Sequence, residues 1–303
     1  MWFVGLARQR SMLDVTCAVA KGGPGKPCLE LQDALQQLPP EIHHKMLPAS
    51  RAVAMRRTST TLRTAVEKAD AVVQVRQGKQ TEGFDGQGLM DKLNSLNAWC
   101  KVIVLRLKDC RLGRAGAVSL AEALASFLSA SLADLDLEGN DIQEGGVRAL
   151  AETLRLNTTL TSLNLSVNDL GEGGGRALAE TLRVNTTVTS LDLGWNDLGE
   201  GGGLALAETL RLNTTLTSLN LSVNHLEEVG GRALAETLRV NTTLTSLDLS
   251  LNDLGEGGGR ALAETLRLNT TLTWLNLCSN DLGEEQESAL WHAWEDRGGS
   301  LRV

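Results

Sequence analysis

The sequence predicts an α/β solenoid, a horseshoe with parallel strands on its concave face, helices on its convex face and a small helical region at the N-terminus. Three observations predict it. A unit of 28 residues recurs from Leu132, starting again at Leu160, Val188, Leu216, Leu244 and Leu272, and a divergent 30-residue copy starts at Val102. Inside each unit, leucines alternate at period two and then recur four apart, as at Leu163 and Leu165, then Leu178 and Leu182. The first spacing marks one face of a strand and the second one face of a helix. Finally, no proline follows Pro48, which suits a regular array with short, stereotyped turns.

Each unit reads L-x-x-L-x-L-x-x-N-x-L, as in Leu160, Leu163, Leu165, Asn168 and Leu170. Ser162, Asn164 and Ser166 then face out of the strand. A helix follows, as in Ala177 to Leu182, and Asn185-Thr-Thr closes the unit. Neither element can bury its apolar side alone, so neighbouring copies must stack into a continuous leucine core. Each buried leucine contributes roughly 1.5–3 kcal/mol before chain entropy is subtracted. Seven units are therefore viable where one is not. Asn140, Asn168, Asn196, Asn224, Asn252 and Asn280 are expected to form an internal ladder to backbone, with Cys110 in that place in the first unit. A finer alternation, Asp136, Asn164, Asp192, Asn220, Asp248, Asn276, gives a period of 56 residues.

The motif resembles the leucine-rich repeats, specifically the ribonuclease-inhibitor-like subtype also found in NOD-like receptors and Ran GTPase-activating proteins. The resemblance covers residues 102–285 and implies a leucine-rich-repeat solenoid. It is specific for fold and nearly silent on function.

The cluster "LGEGGGRALAETL" invites comparison with a phosphate-binding loop. Only one glycine of it holds in register through six units: Gly116, Gly146, Gly174, Gly202, Gly230 and Gly258. Arg176 or Leu204 follows, and the chain contains no GxxxxGK[ST]. Glu172, at the start of the helix, would repel an anion. The glycine is read as a close-packing residue at the entry to the helix. "DLDLEGN" mimics the opening of an EF-hand loop, but its twelfth position is Gly145 and Leu135 and Leu137 are expected to be buried. No cofactor or metal is expected.

A protein partner is expected on the strand face, at Arg106, Lys108, Asp134, Asp136 and Glu138, then Asp192, Trp195, Asp248, Trp274 and Asn276. The two tryptophans are the candidate hot spots; Trp274 could instead cover the open end of the sheet. Arg176, Glu180 and Arg183 are read as a solvated charge network on the helices. Leu89, Leu93, Leu96 and Trp99 predict an N-terminal cap helix over residues 89–101, and Leu290, Trp291 and Trp294 a C-terminal cap over 286–303.

Residues 1–28 lack periodicity and are expected to be disordered. Residues 29–76 read as short helices with a short strand at Val72–Val75, and 77–88 as a Gly/Gln-rich linker. The stretch from Leu38 to Val66 resembles an F-box: "LPPEIHHKML" parallels its opening and "MRRTSTTLRTAV" its end. By that resemblance Leu38, Pro39, Ile42, Leu47 and Leu62 would dock on a cullin-ligase adaptor. The opening segment is about four residues short, and Thr58 stands where the family has Val. The alternative is a helical cap with no partner of its own.

The formal net charge of −8 divides into +4 over residues 1–100 and −12 over the rest. An acidic body argues against nucleic acid as partner. The five cysteines form no CxxC pair, and no run of about 18 apolar residues suggests a membrane span. Without a secretory signal at the start, a reduced cytoplasmic or nuclear setting follows, and the Asn-Thr-Thr triplets are read as turn residues rather than glycan acceptors. The expected activity is that of a monomeric, non-catalytic interaction scaffold. The alternatives are a substrate-recognition subunit of a ubiquitin ligase and a GTPase activator of the Ran-activator type.

Overall fold

The computed structural model describes residues 101–126, 128–295 and 297–303, together with the backbone of three upstream strands, β1 (Leu13–Val19), β2 (Leu29–Glu30) and β3 (Asp70–Gln77). From Lys101 onward, strand and helix alternate strictly. The strands are β4 (Lys101–Arg106), β5 (Asp134–Asp136), β6 (Ser162–Asn164), β7 (Ser190–Asp192), β8 (Ser218–Asn220), β9 (Ser246–Asp248), β10 (Trp274–Asn276) and β11 (Ser300–Arg302). Between them lie α1 (Gly113–Ala125), α2 (Gln143–Leu154), α3 (Gly171–Leu182), α4 (Gly199–Leu210), α5 (Glu227–Leu238), α6 (Gly255–Leu266) and α7 (Glu284–Trp294).

The strands β4 to β11 form one open parallel sheet in chain order. This is the predicted solenoid. Its register follows the repeat: Leu135, Leu163, Leu191, Leu219, Leu247 and Leu275 pair in sequence, each at the centre of its strand and each buried. A parallel neighbour requires a crossover, and a 12-residue helix supplies it in each unit from α2 to α6. Leu178 and Leu182 of α3, with their copies, close the core from the helix side.

Three polar ladders tie the units together. The predicted one is present. Asn224, for example, donates from Nδ2 to the carbonyls of Leu193, Leu221 and Ser222, and its Oδ1 accepts from the N–H groups of Asn196 and Leu198. A second ladder runs through the Asn-Thr-Thr corners, which the sequence marks as turn residues only. Asn185 Oδ1 accepts from the N–H of Thr187 and Val188, while its Nδ2 reaches the carbonyls of Leu154 and Asn157 in the preceding unit. A third joins helices, with Thr181, Thr209, Thr237 and Thr265 donating to the carbonyls of Ala151, Ala179, Ala207 and Ala235. Buried hydroxyl and amide groups need such partners.

The register glycine packs as expected, though one turn inside the helix rather than at its entry. A Cβ on Gly174 would lie 2.9 Å from both Leu170 Cβ and Val147 Cγ1. Its neighbour Gly175 also sits close to the next helix, where a Cβ would be 3.2 Å from the Cα of Gly202.

Four expectations need correction. Ser166 does not face out: its Oγ and N–H both donate to Asn164 Oδ1, at 2.8 and 2.9 Å, which curls the chain inward and buries it. Arg176 pairs with Glu172, four residues earlier, rather than with Glu180. At the C-terminal cap, Leu290 and Trp294 are buried but Trp291 is 51% exposed, on the flank of the buried face of α7. Trp274 does not end the sheet, because β11 pairs outside it with Trp274 opposite Ser300.

Upstream, β3 runs parallel to β4, and β1 pairs antiparallel with both β3 and β2. Leu13–Val19 is thus strand within the segment expected to lack order. The F-box-like positions Leu38, Pro39, Ile42, Leu47 and Leu62, the linker from 78 and the cap helix through residue 100 lie outside the described residues.

Candidate protein-interaction face

A three-residue strand points its central leucine into the core and its two flanking residues outward. The outward positions therefore form two rows across the sheet. One row holds Asp134, four serines and Trp274; the other holds Asp136, Asn164, Asp192, Asn220, Asp248 and Asn276. All of these strand residues are half-buried, shielded by their neighbours but open on one side.

The second row is internally bonded. Asn276 Nδ2 donates to Asp248 Oδ2 at 3.1 Å, and Asn220 likewise hydrogen-bonds Asp192. Asp192 and Asp248 also accept backbone N–H groups two residues on, from Gly194 and Ser250. Burial pushes the Asp192 carboxyl above its ordinary value; the Gly194 and Asn220 hydrogen bonds oppose that rise, and Glu138 and Asp248 add to it. Asp134 is raised too, chiefly by burial, against the lowering effect of Arg106.

At the start of the array Arg106, Lys108, Asp134, Asp136 and Asn164 line an open depression of about 340 Å³. Lys108 Nζ donates to Glu138 at 2.7 Å, and that bond is the main cause of its raised pKa. The face thus passes from mixed charge at β4 and β5 to acid-amide at β7 to β9 and an aromatic side chain, Trp274, at β10. Arg302, absent from the sequence reading, extends the second row opposite Asn276.

Trp195 lies elsewhere. β7 ends at Asp192, and Trp195 sits in the following turn with φ 61°, 60% exposed on the edge of the solenoid. The residues before, after and three beyond each ladder asparagine are left-handed, as at Val167, Asp169 and Gly171. That turn puts the tryptophan on the edge, apart from the strand face. His225, which replaces Asp in the edge row, stands 3.5 Å from Asp253 of the next unit.

Burial, with Asp109 and Asp136 nearby, pushes the Cys110 thiol up to about 11, which keeps it protonated at neutral pH. Among the described residues no cluster of three metal-ligating side chains exists, and no helix is long and apolar enough to cross a membrane.

Residues 129–151, 156–179, 184–207, 212–235 and 240–263 match a family model described as Leucine Rich repeat. No curated protein matches the chain. Among solved structures, it is similar to actin-binding site 2 of leiomodin-1, at 26% identity over 48% of this chain and 85% of that one, with a TM-score of 0.44. It is similar to a tropomodulin C-terminal domain from Caenorhabditis elegans, at 17% identity over 49% and 91%, TM-score 0.43. A third is the leucine-rich repeat-containing protein LegL7 from Legionella pneumophila, at 23% identity over 70% and 71%, TM-score 0.47.

Proposed function

We propose that this chain, a leucine-rich repeat protein, is a non-catalytic scaffold that takes a protein partner on the outward face of strands β4 to β10. The observation that carries the reading is the pair of outward rows. They hold ionised and aromatic side chains at half-buried, aligned positions, with nothing of the described chain packed over them. Half-burial on a rigid sheet lowers the ordering entropy that a partner must overcome, since these side chains are already held by neighbours. The acid-amide row favours a partner surface carrying lysine or arginine, while Arg106 and Lys108 set its polarity along the array. Trp274, at the far end, is the anchor of the kind that dominates interface energies.

The test is affinity purification of the full chain from cells, beside an Asp192→Arg/Asp248→Arg double variant and a Val167→Glu variant on the solenoid edge. The reading expects a partner held by the parent chain and by the edge variant, and lost from the strand-face variant. A protein list unchanged by the strand-face substitutions would overturn it.

A further inference from the structure

We propose that the edge of the solenoid at the helix C-termini is a self-association surface, through which two copies of this chain pack in a twofold dimer. Of the eleven large apolar side chains exposed among the described residues, five occupy one position of successive units: Leu156, Val184, Leu212, Val240 and Leu268. They are 51–87% exposed, with Leu156 the most open. Isolated exposed leucines are ordinary, but five in an unbroken row along one edge are not.

What flanks the row identifies its occupant. Each aliphatic residue follows an exposed arginine (Arg155, Arg183, Arg211, Arg239, Arg267) and lies four residues after an exposed glutamate (Glu152, Glu180, Glu208, Glu236, Glu264). Glutamate, arginine and aliphatic residue at i, i+3 and i+4 share one face of the last helical turn. Among the described residues none of these ten charges joins an ion pair, whereas Arg148, Arg176 and Arg232, one turn earlier, are each paired within their own helix. The edge therefore presents five unpaired positive charges, five unpaired negative charges and a row of aliphatics.

A surface with both signs in equal number complements itself. A twofold rotation that reverses the direction of the array lays each row on its copy, so the spacing matches whatever the curvature. Arginines of one protomer can then meet glutamates of the other around a shared aliphatic seam. The opposite edge could not do this, because it is acidic along its length, with Asp169, Asp197, Asp253 and Asp281 at the turns. The balanced charge also disfavours an anionic membrane or nucleic acid as occupant. The dimer replaces the monomer that the sequence suggests, and it leaves the strand face open.

Sedimentation equilibrium of the full chain over a concentration series tests the proposal. A reversible dimer is expected, and Val184→Glu/Leu212→Glu should raise its dissociation constant by at least about tenfold. These side chains are exposed, so an unchanged thermal melt at low concentration verifies folding. A charge exchange then tests the pairing. Arg183→Glu/Arg211→Glu and Glu180→Arg/Glu208→Arg should each weaken self-association, and mixing the two variants should restore a heterodimer. A monomeric mass at every concentration overturns the proposal and leaves the row to another partner. A dimer indifferent to all of these substitutions overturns it equally, by placing the interface elsewhere.

Discussion

Asn276 donates its side-chain amide to the carboxylate of Asp248 at 3.1 Å, across the gap between β10 and β9. The pair gives a physical meaning to the 56-residue period. Neighbouring parallel strands are about 4.8 Å apart, where two ionised carboxylates directly opposite would repel. Alternating Asp with Asn separates the carboxylates by two strands and lets the intervening amide bond to one of them.

Replacing that amide should show the repulsion. Asn220 stands between Asp192 and Asp248 in register. Asn220→Asp would align three carboxylates and is expected to cost about 1 kcal/mol at neutral pH. Thermal melts at neutral and acidic pH should show the loss shrinking as the row protonates.

The same row sets a pH dependence. The folded pKa of Asp192 is raised above its ordinary 3.8, so the folded chain holds this proton more tightly than the unfolded chain. Its unfavourable contribution is therefore full above the folded pKa and fades as pH falls through it toward 3.8. Asp192→Asn should raise Tm at neutral pH and reduce whatever stability the parent chain gains on mild acidification. Paired melts across that window check the sign.

The asparagine ladder should tolerate truncation poorly. Asn224→Ala leaves the buried N–H groups of Asn196 and Leu198 without their acceptor and takes one of two donors from each of the Leu193, Leu221 and Ser222 carbonyls. Urea unfolding is expected to show a loss of about 3 kcal/mol or more. Thr209→Val, which removes the single bond to the Ala179 carbonyl, should cost only about 1 kcal/mol.

One position invites stabilisation. Gly171, Gly199 and Gly255 have φ of 61–63° where the chain enters each helix, and Glu227 occupies the equivalent place with φ 57°. Glu227→Gly should relieve about 1 kcal/mol of left-handed strain, and Gly171→Ala should impose a similar cost although its Cβ would meet nothing within 4 Å. Chemical denaturation of the two variants separates strain from packing.

At the C-terminal end, Arg297 takes the place that the repeat would give to the next asparagine of the second ladder. Asn269, one unit earlier, reaches the carbonyls of Leu238 and Asn241. Arg297 Nη2 donates to the corresponding carbonyls of Leu266 and Asn269, and its guanidinium lies 5.1 Å from the centre of the Trp294 ring. One longer side chain thus closes the ladder. Arg297→Ala should leave both carbonyls open and fray α7 and β11. Hydrogen exchange would register faster exchange there and little change at β6.

Much of this protein was legible from its residues alone, and the reason is repetition. Leucines at period two and then four apart, seven times in phase, admit one way of burying both faces, so the parallel sheet, the helix layer and the ladder at Asn140 to Asn280 all follow from spacing. The alternation of Asp and Asn was visible too, although the bond between Asp248 and Asn276 was not. Tertiary structure decided which side chains reach the neighbouring unit. Asn185 and Thr181 bond to carbonyls about 30 residues back in the chain, and nothing in the local sequence distinguishes them from ordinary turn and helix residues. It also decided where Trp195 points. Extending the strand's alternation past Asp192 would turn that side chain toward the core, on the side of Leu191 and Leu193, so spacing offers it no place on the strand face. The left-handed residues around Asn196 turn the backbone and carry it to the exposed edge. Spacing determines a face only while the backbone stays regular; beyond the last strand residue, the turn determines it.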